Sequence, residues 1–355
     1  MRRFAESPEL RAEEDYWARV ENAEATPLPT KDDGGARLHG GAEAVHAALS
    51  PEDTAELLGP VHRAFGTEIM DLLLTALGRA LKGWSGGEAA RVTLEGHGRE
   101  PPDETLDLTR TVGWFTSLYP FLLSVPGDDI GEQIRRVKTA LREVPRKGFG
   151  YGILRYAAGR KASPGPVPQL SFNYLGQFED GGEQGMFGFS DEASGRAVSP
   201  HLSRSHQLDI VGLVAGGRLL LSLEFEPRTL ARETAAALLD DMARQLGEVL
   251  RYCRALAERG EAAASLPADA PAAWAHLLVD GDIEDAYPLS PLQEGFLFQS
   301  LLDPDAESYF VQVRFHFAGT LDLDAFRAAW FALCRRHAVL RSAFVHRDLA
   351  RPLQV

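Results

Sequence analysis

A chain of 355 residues carrying 51 acidic and 37 basic side chains, formal net charge −14, is long enough for two domains with full cores. The acidic balance argues against nucleic-acid and anionic-membrane binding, both of which need clustered Lys and Arg. Its two cysteines, Cys253 and Cys334, have neither metal-ligand nor redox spacing and read as thiols of a reducing compartment.

The opening Met-Arg-Arg-Phe runs into acidic helix, so no signal peptide is expected, and no apolar run reaches membrane-spanning length. The expected location is the cytoplasm, and no metal is expected. Pro8–Glu21 reads as one amphipathic helix punctuated by Leu10, Tyr16, Trp17 and Val20. Residues 25–41 are loop, and Ala42–Leu49 is a strand. Ser50-Pro51 then supplies an N-cap and a first-turn proline for a helix. Glu68–Gly83 carries Met70, Leu73, Leu74, Leu77 and Leu81 at helical spacing, all expected in the core.

Arg91–Leu94 alternates as a strand. At its end stand a carboxylate, an imidazole and a guanidinium, Glu95, His97 and Arg99, separated by Gly96 and Gly98. Acid, base and fixed cation within five residues are the equipment of proton transfer, and alternate glycines let backbone or ligand come close. Gly131–Val144 is a helix. Pro145–Gly152, with glycines at 148, 150 and 152 among aromatic rings, reads as a loop passing close to something. Gln169–Phe178 is a strand bearing Asn173 and Tyr174, groups able to orient a carbonyl or amide. After a Gly- and Ser-rich loop to Arg204, in which His201 and His206 read as loop residues, Gln207–Leu213 and Arg218–Glu226 form a hairpin about Ala215-Gly216-Gly217. A long helix follows from Thr229 to about Arg259.

Residues 259–284 are Ala-, Glu- and Pro-rich linker. Beyond them Ser290 caps a helix with Pro291 in its first turn and Gln293 three residues on. Tyr309–Phe317 alternates as a strand. Leu323–Leu340 is a helix expected to turn Phe326, Trp330, Leu333 and Val339 inward, and Arg341–Val345 begins another strand. About seventy residues are too few for that second core, so it is expected to be a fragment.

Five stretches in this order resemble the epimerization domain of nonribosomal peptide synthetases: Asp71–Gly78, Glu95–Glu100, Arg110–Pro120, Pro145–Gly152 and Phe172–Phe178. Tyr287–Gly295 and its sequel resemble the opening of a condensation domain. The resemblance implies an α/β fold like chloramphenicol acetyltransferase, two lobes around a tunnel. Residues 1–258 would be the C-terminal part of the epimerization domain, 259–284 the linker, and 285–355 the N-terminal fragment of a condensation domain. It implies interconversion of L and D residues held as thioesters on a carrier protein's 4'-phosphopantetheine arm. No cofactor would be bound directly, and the partners would be a peptidyl carrier protein and adjacent synthetase domains.

By resemblance Glu95 is one acid/base, and Arg99, Asn173 and Tyr174 position substrate and stabilise charge. His97, Gly113, Trp114, Thr116, Ser117 and Tyr119 line the tunnel. The family's second acid/base is a histidine in a His-His-x-x-x-Asp-Gly signature of the N-terminal lobe. That lobe is expected to be absent here and the isolated chain to be inactive. Ala275-His276 to Gly281 matches the signature except for its first histidine, but its place in the linker makes it a decoy. The rival readings are a condensation or acyltransferase unit of the same fold, needing no carboxylate at Glu95, and a non-catalytic carrier-docking fragment.

Overall fold

The computed structural model describes residues 2–31, 34–59, 61–62, 65–99, 108, 110–157, 167–178, 195, 198–258, 287–302, 320–346 and 352–355. The chain divides into two compact units, Met1–Ala263 and Ala264–Val355.

The first unit opens with three short helices, α1 (Arg2–Ala5), α2 (Pro8–Arg11) and α3 (Glu14–Asn22). The single helix expected over Pro8–Glu21 is therefore broken at Ala12-Glu13. Glu13 is buried, and its carboxylate accepts from the Trp17 indole at 3.1 Å instead of facing water. Strand β1 (Glu43–Ala48) leads to α4 (Pro51–Leu57), where Ser50 Oγ accepts the Asp53 amide at 3.0 Å as its spacing predicts. Then come α5 (Ile69–Ser85), β2 (Ala89–Gly96), β3 (Ser117–Ser124), α6 (Ile130–Arg142), α7 (Phe149–Tyr156), β4 (Leu170–Phe178), β5 (Leu208–Ala215), β6 (Arg218–Phe225) and α8 (Arg232–Glu258).

The six strands form one mixed sheet, ordered β1-β6-β5-β4-β2-β3. The central pairs β2–β4 and β4–β5 are parallel, and the outer pairs are antiparallel. Alternation decides which face is core. Val92, Leu94, Phe172, Ile210, Leu221 and Leu223 are almost wholly buried and share one cluster with Leu73, Leu77, Leu246 and Val249 of α5 and α8. The hairpin β5–β6 turns on Gly216 and Gly217, both at positive φ (54° and 72°), as its Gly-Gly signal requires. Strand β4 contains one irregularity: its register against β5 slips between Tyr174 and Gln177, where Gly176 has φ 91°.

At the entrance to α5, Asp71 is completely buried and accepts a bidentate pair of bonds from Arg142 of α6, both 2.8 Å. Its carboxylate also accepts the Glu68 backbone N–H at 2.7 Å. One carboxylate thus caps α5 and ties it to the end of α6.

The stretch Pro145–Gly152, expected as loop, is instead a tight 3₁₀ turn (Pro145–Gly148) running directly into α7. Gly148 (φ 83°) breaks the chain direction, and Arg146 and Lys147 also lie at positive φ, 45° and 49°. The helix that follows survives two further glycines because Phe149, Tyr151 and Ile153 are buried.

In the second unit β7 (Tyr287–Pro288), β8 (Phe344–Val345) and β9 (Leu353–Gln354) form a small antiparallel sheet, with helices α9 (Pro291–Leu302) and α10 (Leu323–Arg336). Ser290 caps α9 through reciprocal bonds with Gln293, 2.9 and 3.4 Å. The expected inward face of the last helix is not buried. Trp330, Leu333 and Val339 are 47%, 41% and 73% exposed, since no buried layer faces α10 among the described residues. Past Arg336 the chain tightens to a 3₁₀ turn, Ala338–Arg341. The expected strand Tyr309–Phe317, the linker and His276 lie outside the described residues.

Candidate active site

The parallel strands β2 and β4 end at the same edge of the sheet, where open α/β sheets leave a crevice for ligands. Their register pairs Thr93 with Ser171 and Leu94 with Phe172, which sets Glu95 beside Asn173 on the face away from α5 and α8. The Asn173 amide donates to the Glu95 carboxylate at 2.8 Å, and the Thr116 hydroxyl hydrogen-bonds to the same group. Partial burial raises the Glu95 pKa above its ordinary value, and the bond from Thr116 offsets part of that rise. A carboxyl tuned upward yet held by two donors is suited to take up and return a proton.

Glu95 opens onto a groove of about 700 Å³. Of the residues assigned by sequence, Glu95, His97, Arg99, Gly113, Trp114, Thr116, Tyr119, Asn173 and Tyr174 all line it. Ser117 does not: it lines a neighbouring groove on the other side of the same segment, and its buried hydroxyl has no partner among the described residues. The Tyr174 hydroxyl is likewise buried and unpartnered there, with its pKa raised by burial. Tyr119, its pKa pushed up to about 12 by burial, lines the groove in its neutral form. Trp114 is 97% exposed at the groove's rim.

Arg99 takes a role its spacing alone does not reveal. Its guanidinium donates to the carbonyls of Leu108 and Thr111 at 2.8 and 2.9 Å and lies 4.6 Å over the Phe115 ring. It fixes the segment carrying Phe115 and Thr116, and so acts on Glu95 through that segment. His97 accepts the Arg99 backbone N–H at its Nδ1, 3.0 Å, and shapes the turn.

The alternate glycines have a steric explanation. A Cβ at Gly98 would stand 1.5 Å from the Phe115 carbonyl oxygen, and one at Gly148 1.9 Å from the Tyr119 ring. The two glycine-bearing stretches, fifty residues apart in sequence, close on the same segment 115–119 from two sides.

Sequence reasoning missed three features. Arg142 and Lys147 line the groove, although their sequence context reads only as helix end and loop. A buried polar network occupies the same sheet face as Glu95, next to Thr93. Thr93 Oγ1 and His206 Nε2 are 2.9 Å apart, His206 Nδ1 and Asp209 are 3.2 Å apart, and Arg204 donates to Asp209 at 2.6 Å. His206 is a loop residue, as expected, but one buried against the sheet just before β5 at 9% exposure. Its signal lay in Asp209, an acid on an otherwise apolar strand. Burial alone would raise the Asp209 pKa, but bonds from His206, Ser171 and Arg204 outweigh it and bring it to about 2.

Among the described residues no helix is long and apolar enough to cross a membrane, and no three potential metal ligands converge.

A mixed six-stranded sheet backed by helices on one face is the fold of condensation and epimerization domains. Residues 1–262 and 283–355 match the condensation-domain family, and the chain belongs to it, as a condensation/epimerization-type domain of nonribosomal peptide synthetases. It is 38% identical to the crystal structure of the epimerization domain from the third module of tyrocidine synthetase B. That match has a TM-score of 0.67 over 72% of this chain and 58% of the other. The condensation domain of the Monacolin K polyketide synthase shares the fold, with TM-score 0.54 and 18% identity over 70% of this chain and 59% of the other.

Among whole synthases, a subunit of the mycosubtilin synthase of Bacillus subtilis is 36% identical over all of this chain and 14% of its own length. A subunit of the linear gramicidin synthase of Brevibacillus parabrevis is 35% identical over all of this chain and 7% of its own length. The chain therefore spans a small part of the relatives it matches.

Proposed function

We propose that residues 1–258 form the glutamate-bearing lobe of an epimerization domain, joined by residues 259–284 to a condensation unit that begins at about 285. Its substrate is the α-carbon of an aminoacyl or peptidyl thioester, carried on the 4'-phosphopantetheine arm of a partner carrier protein. The observation that carries this reading is Glu95 held by Asn173 and Thr116 at the edge of an open groove. Its volume of about 700 Å³ suits an extended amide-bearing arm.

In this reading the Glu95 carboxylate accepts the α-proton and becomes a carboxylic acid, leaving the electron pair on the thioester enolate. Return of a proton to the opposite face inverts the centre. Asn173 and Thr116 aim the carboxylate, Arg99 holds the wall that carries Thr116, and Tyr174 supplies a hydroxyl at the groove. The second proton-transfer group belongs to the His-His-x-x-x-Asp-Gly signature, of which this sequence has only the partial match at 275–281.

The test is solvent-hydrogen exchange at the α-carbon of a carrier-bound L-residue by the parent synthetase. Glu95→Gln is expected to abolish exchange and leave peptide-bond formation intact; the reverse result favours a condensation unit. The isolated 355-residue chain is expected to give no racemisation, and measurable racemisation by it would contradict the proposed two-group mechanism.

A further inference from the structure

Among the described residues, Arg146 and Lys147 are the two other than glycine that hold a positive φ, and Gly148 continues the same hand. Their backbone angles (φ 45°, ψ 39° and φ 49°, ψ 37°) are those of a left-handed helix. That conformation costs any residue with a Cβ, and only Gly, Asn and Asp visit it readily. Strain of this kind persists where neighbouring contacts impose it. We propose that Arg146 is a positioning residue for the Glu95 site: its side chain clamps this left-handed turn, which fixes one wall of the groove. The proposal rests on the epimerization reading of Glu95 and adds to it a residue that does not itself line the groove.

The backbone holds the turn only lightly. The Lys147 N–H donates to the Val144 carbonyl at 3.3 Å, and the Phe149 N–H to the Arg146 carbonyl. The Arg146 side chain supplies the clamp. Its Nε stands 3.4 Å from the Glu13 carboxylate, and its guanidinium lies 4.8 Å over the Phe4 ring. Both partners are anchored. Glu13 is buried, accepts the Trp17 indole N–H at 3.1 Å, and presses on Gly150, where a Cβ would stand 2.1 Å from its carboxylate. Phe4 packs on Phe149 with ring centroids 5.7 Å apart, in a small cluster with Leu10 and Ile153. A cation held between an aromatic face and a carboxylate removed from water is held more firmly than an exposed pair.

The clamped turn is pressed against the site. The Lys147 carbonyl oxygen lies 2.9 Å from the position of a Gly96 Cβ, and Gly96 directly follows Glu95 on β2. The Tyr119 ring lies 1.9 Å from the position of a Gly148 Cβ. Tyr119, Gly96 and Lys147 all line the Glu95 groove. Were Arg146 to relax to a right-handed conformation, the chain would change direction before Lys147 and Gly148, and both close approaches would open. A displacement of that kind beside a proton-transfer group acts on the rate of the chemical step. The contacts that carry the effect lie between α1, the α2–α3 junction, the turn and β2, all within the first unit.

The experiment compares Arg146→Ala with Arg146→Gly in the parent synthetase. Both remove the clamp, but glycine takes the left-handed conformation without a Cβ penalty and alanine does not. In α-proton exchange on a carrier-bound L-residue, Arg146→Ala is expected to lower kcat about tenfold with KM little changed. Arg146→Gly is expected to recover to within about threefold of the parent. Alanine equal to the parent, or glycine as impaired as alanine, overturns the proposal. Glu13→Gln removes the charge facing Arg146 and keeps an oxygen for the Trp17 indole; it should lower kcat about threefold. An unchanged kcat there overturns the proposal even if Arg146→Ala fails to fold. In the 355-residue chain the same variants are read by NMR, through the Gly148 α-proton shifts displaced by the Tyr119 ring. The displacement should be lost in Arg146→Ala and kept in Arg146→Gly, and its survival in alanine counts against the clamp. Failure of the Glu95 reading shows separately: exchange that persists in Glu95→Gln sinks epimerization, while the Gly148 shifts still report on the turn.

Discussion

Asn173 donates its side-chain amide to the carboxylate of Glu95 across 2.8 Å, from the adjoining position of the neighbouring parallel strand. Strand register, not loop conformation, sets this contact, so the proposed acid/base is aimed by the most rigid part of the fold.

Thr116 is the adjustable member of that site. Its hydrogen bond favours the ionised form of Glu95 against the larger opposing effect of burial. Thr116→Val in the parent synthetase should therefore move the acid limb of the pH–rate profile for α-proton exchange to higher pH. The raised folded-state value of Glu95 also means that ionisation opposes folding, so this contribution weakens stability as pH climbs through it. Glu95→Gln should consequently leave the urea midpoint near pH 7 unchanged or slightly higher.

Asp209 behaves in the opposite sense. Its value of about 2, against an ordinary 3.8, gives stability that is present above about 4 and lost as pH falls through about 2. Asp209→Asn should destabilise the first unit by about 2 kcal/mol at pH 7. Urea titrations of the two proteins should converge as the pH approaches 2.

Arg142 and Asp71 form a buried pair in which only the arginine reaches solvent. Arg142→Met would leave the fully buried Asp71 charge without its partner, a loss of about 3 kcal/mol. Asp71→Asn together with Arg142→Met should recover part of it, because no uncompensated charge remains. Denaturant midpoints of the parent chain and the two variants read this directly.

Two glycines four residues apart should respond oppositely to alanine. Gly148 has φ 83° and its Cβ would strike the Tyr119 ring at 1.9 Å, so Gly148→Ala should cost about 2–5 kcal/mol from strain and overpacking combined. Gly152, inside α7 with nothing within 4 Å of its Cβ position, should gain about 0.5–1 kcal/mol on the same change. Thermal midpoints measured side by side decide the matter.

Much of the fold is legible in the amino-acid sequence. Ser50-Pro51, the Gly216-Gly217 turn, the apolar spacing of α5 and the alternation of β5 and β6 are local signals, and the structure follows them. What the sequence hides is long-range. The first helix is broken at Ala12-Glu13, where Glu13 is buried and bonded to Trp17. Pro145–Gly152 reads as loop from composition, yet burial of Phe149, Tyr151 and Ile153 makes half of it helix. At the site, Glu95 stands near the end of β2 and Asn173 and Tyr174 in the middle of β4, segments whose strand character the pattern shows. The bond from Thr116 and the diversion of Arg99 to two carbonyls depend on where Leu108 and residues 111–116 stand, which no periodicity encodes.

The slipped register between Tyr174 and Gln177 divides strand β4 into two segments, both paired with β5. Upstream, Asn173 pairs with Val211 of β5 and reaches β2 through its side-chain bond to Glu95; downstream, Gln177 and Phe178 pair with Val214 and Ala215 beside the hairpin tip. Insertions or deletions near the hairpin tip can thus be absorbed at one residue before they reach the Glu95–Asn173 contact. An engineer could lengthen or graft that tip while the proton-transfer geometry stays put.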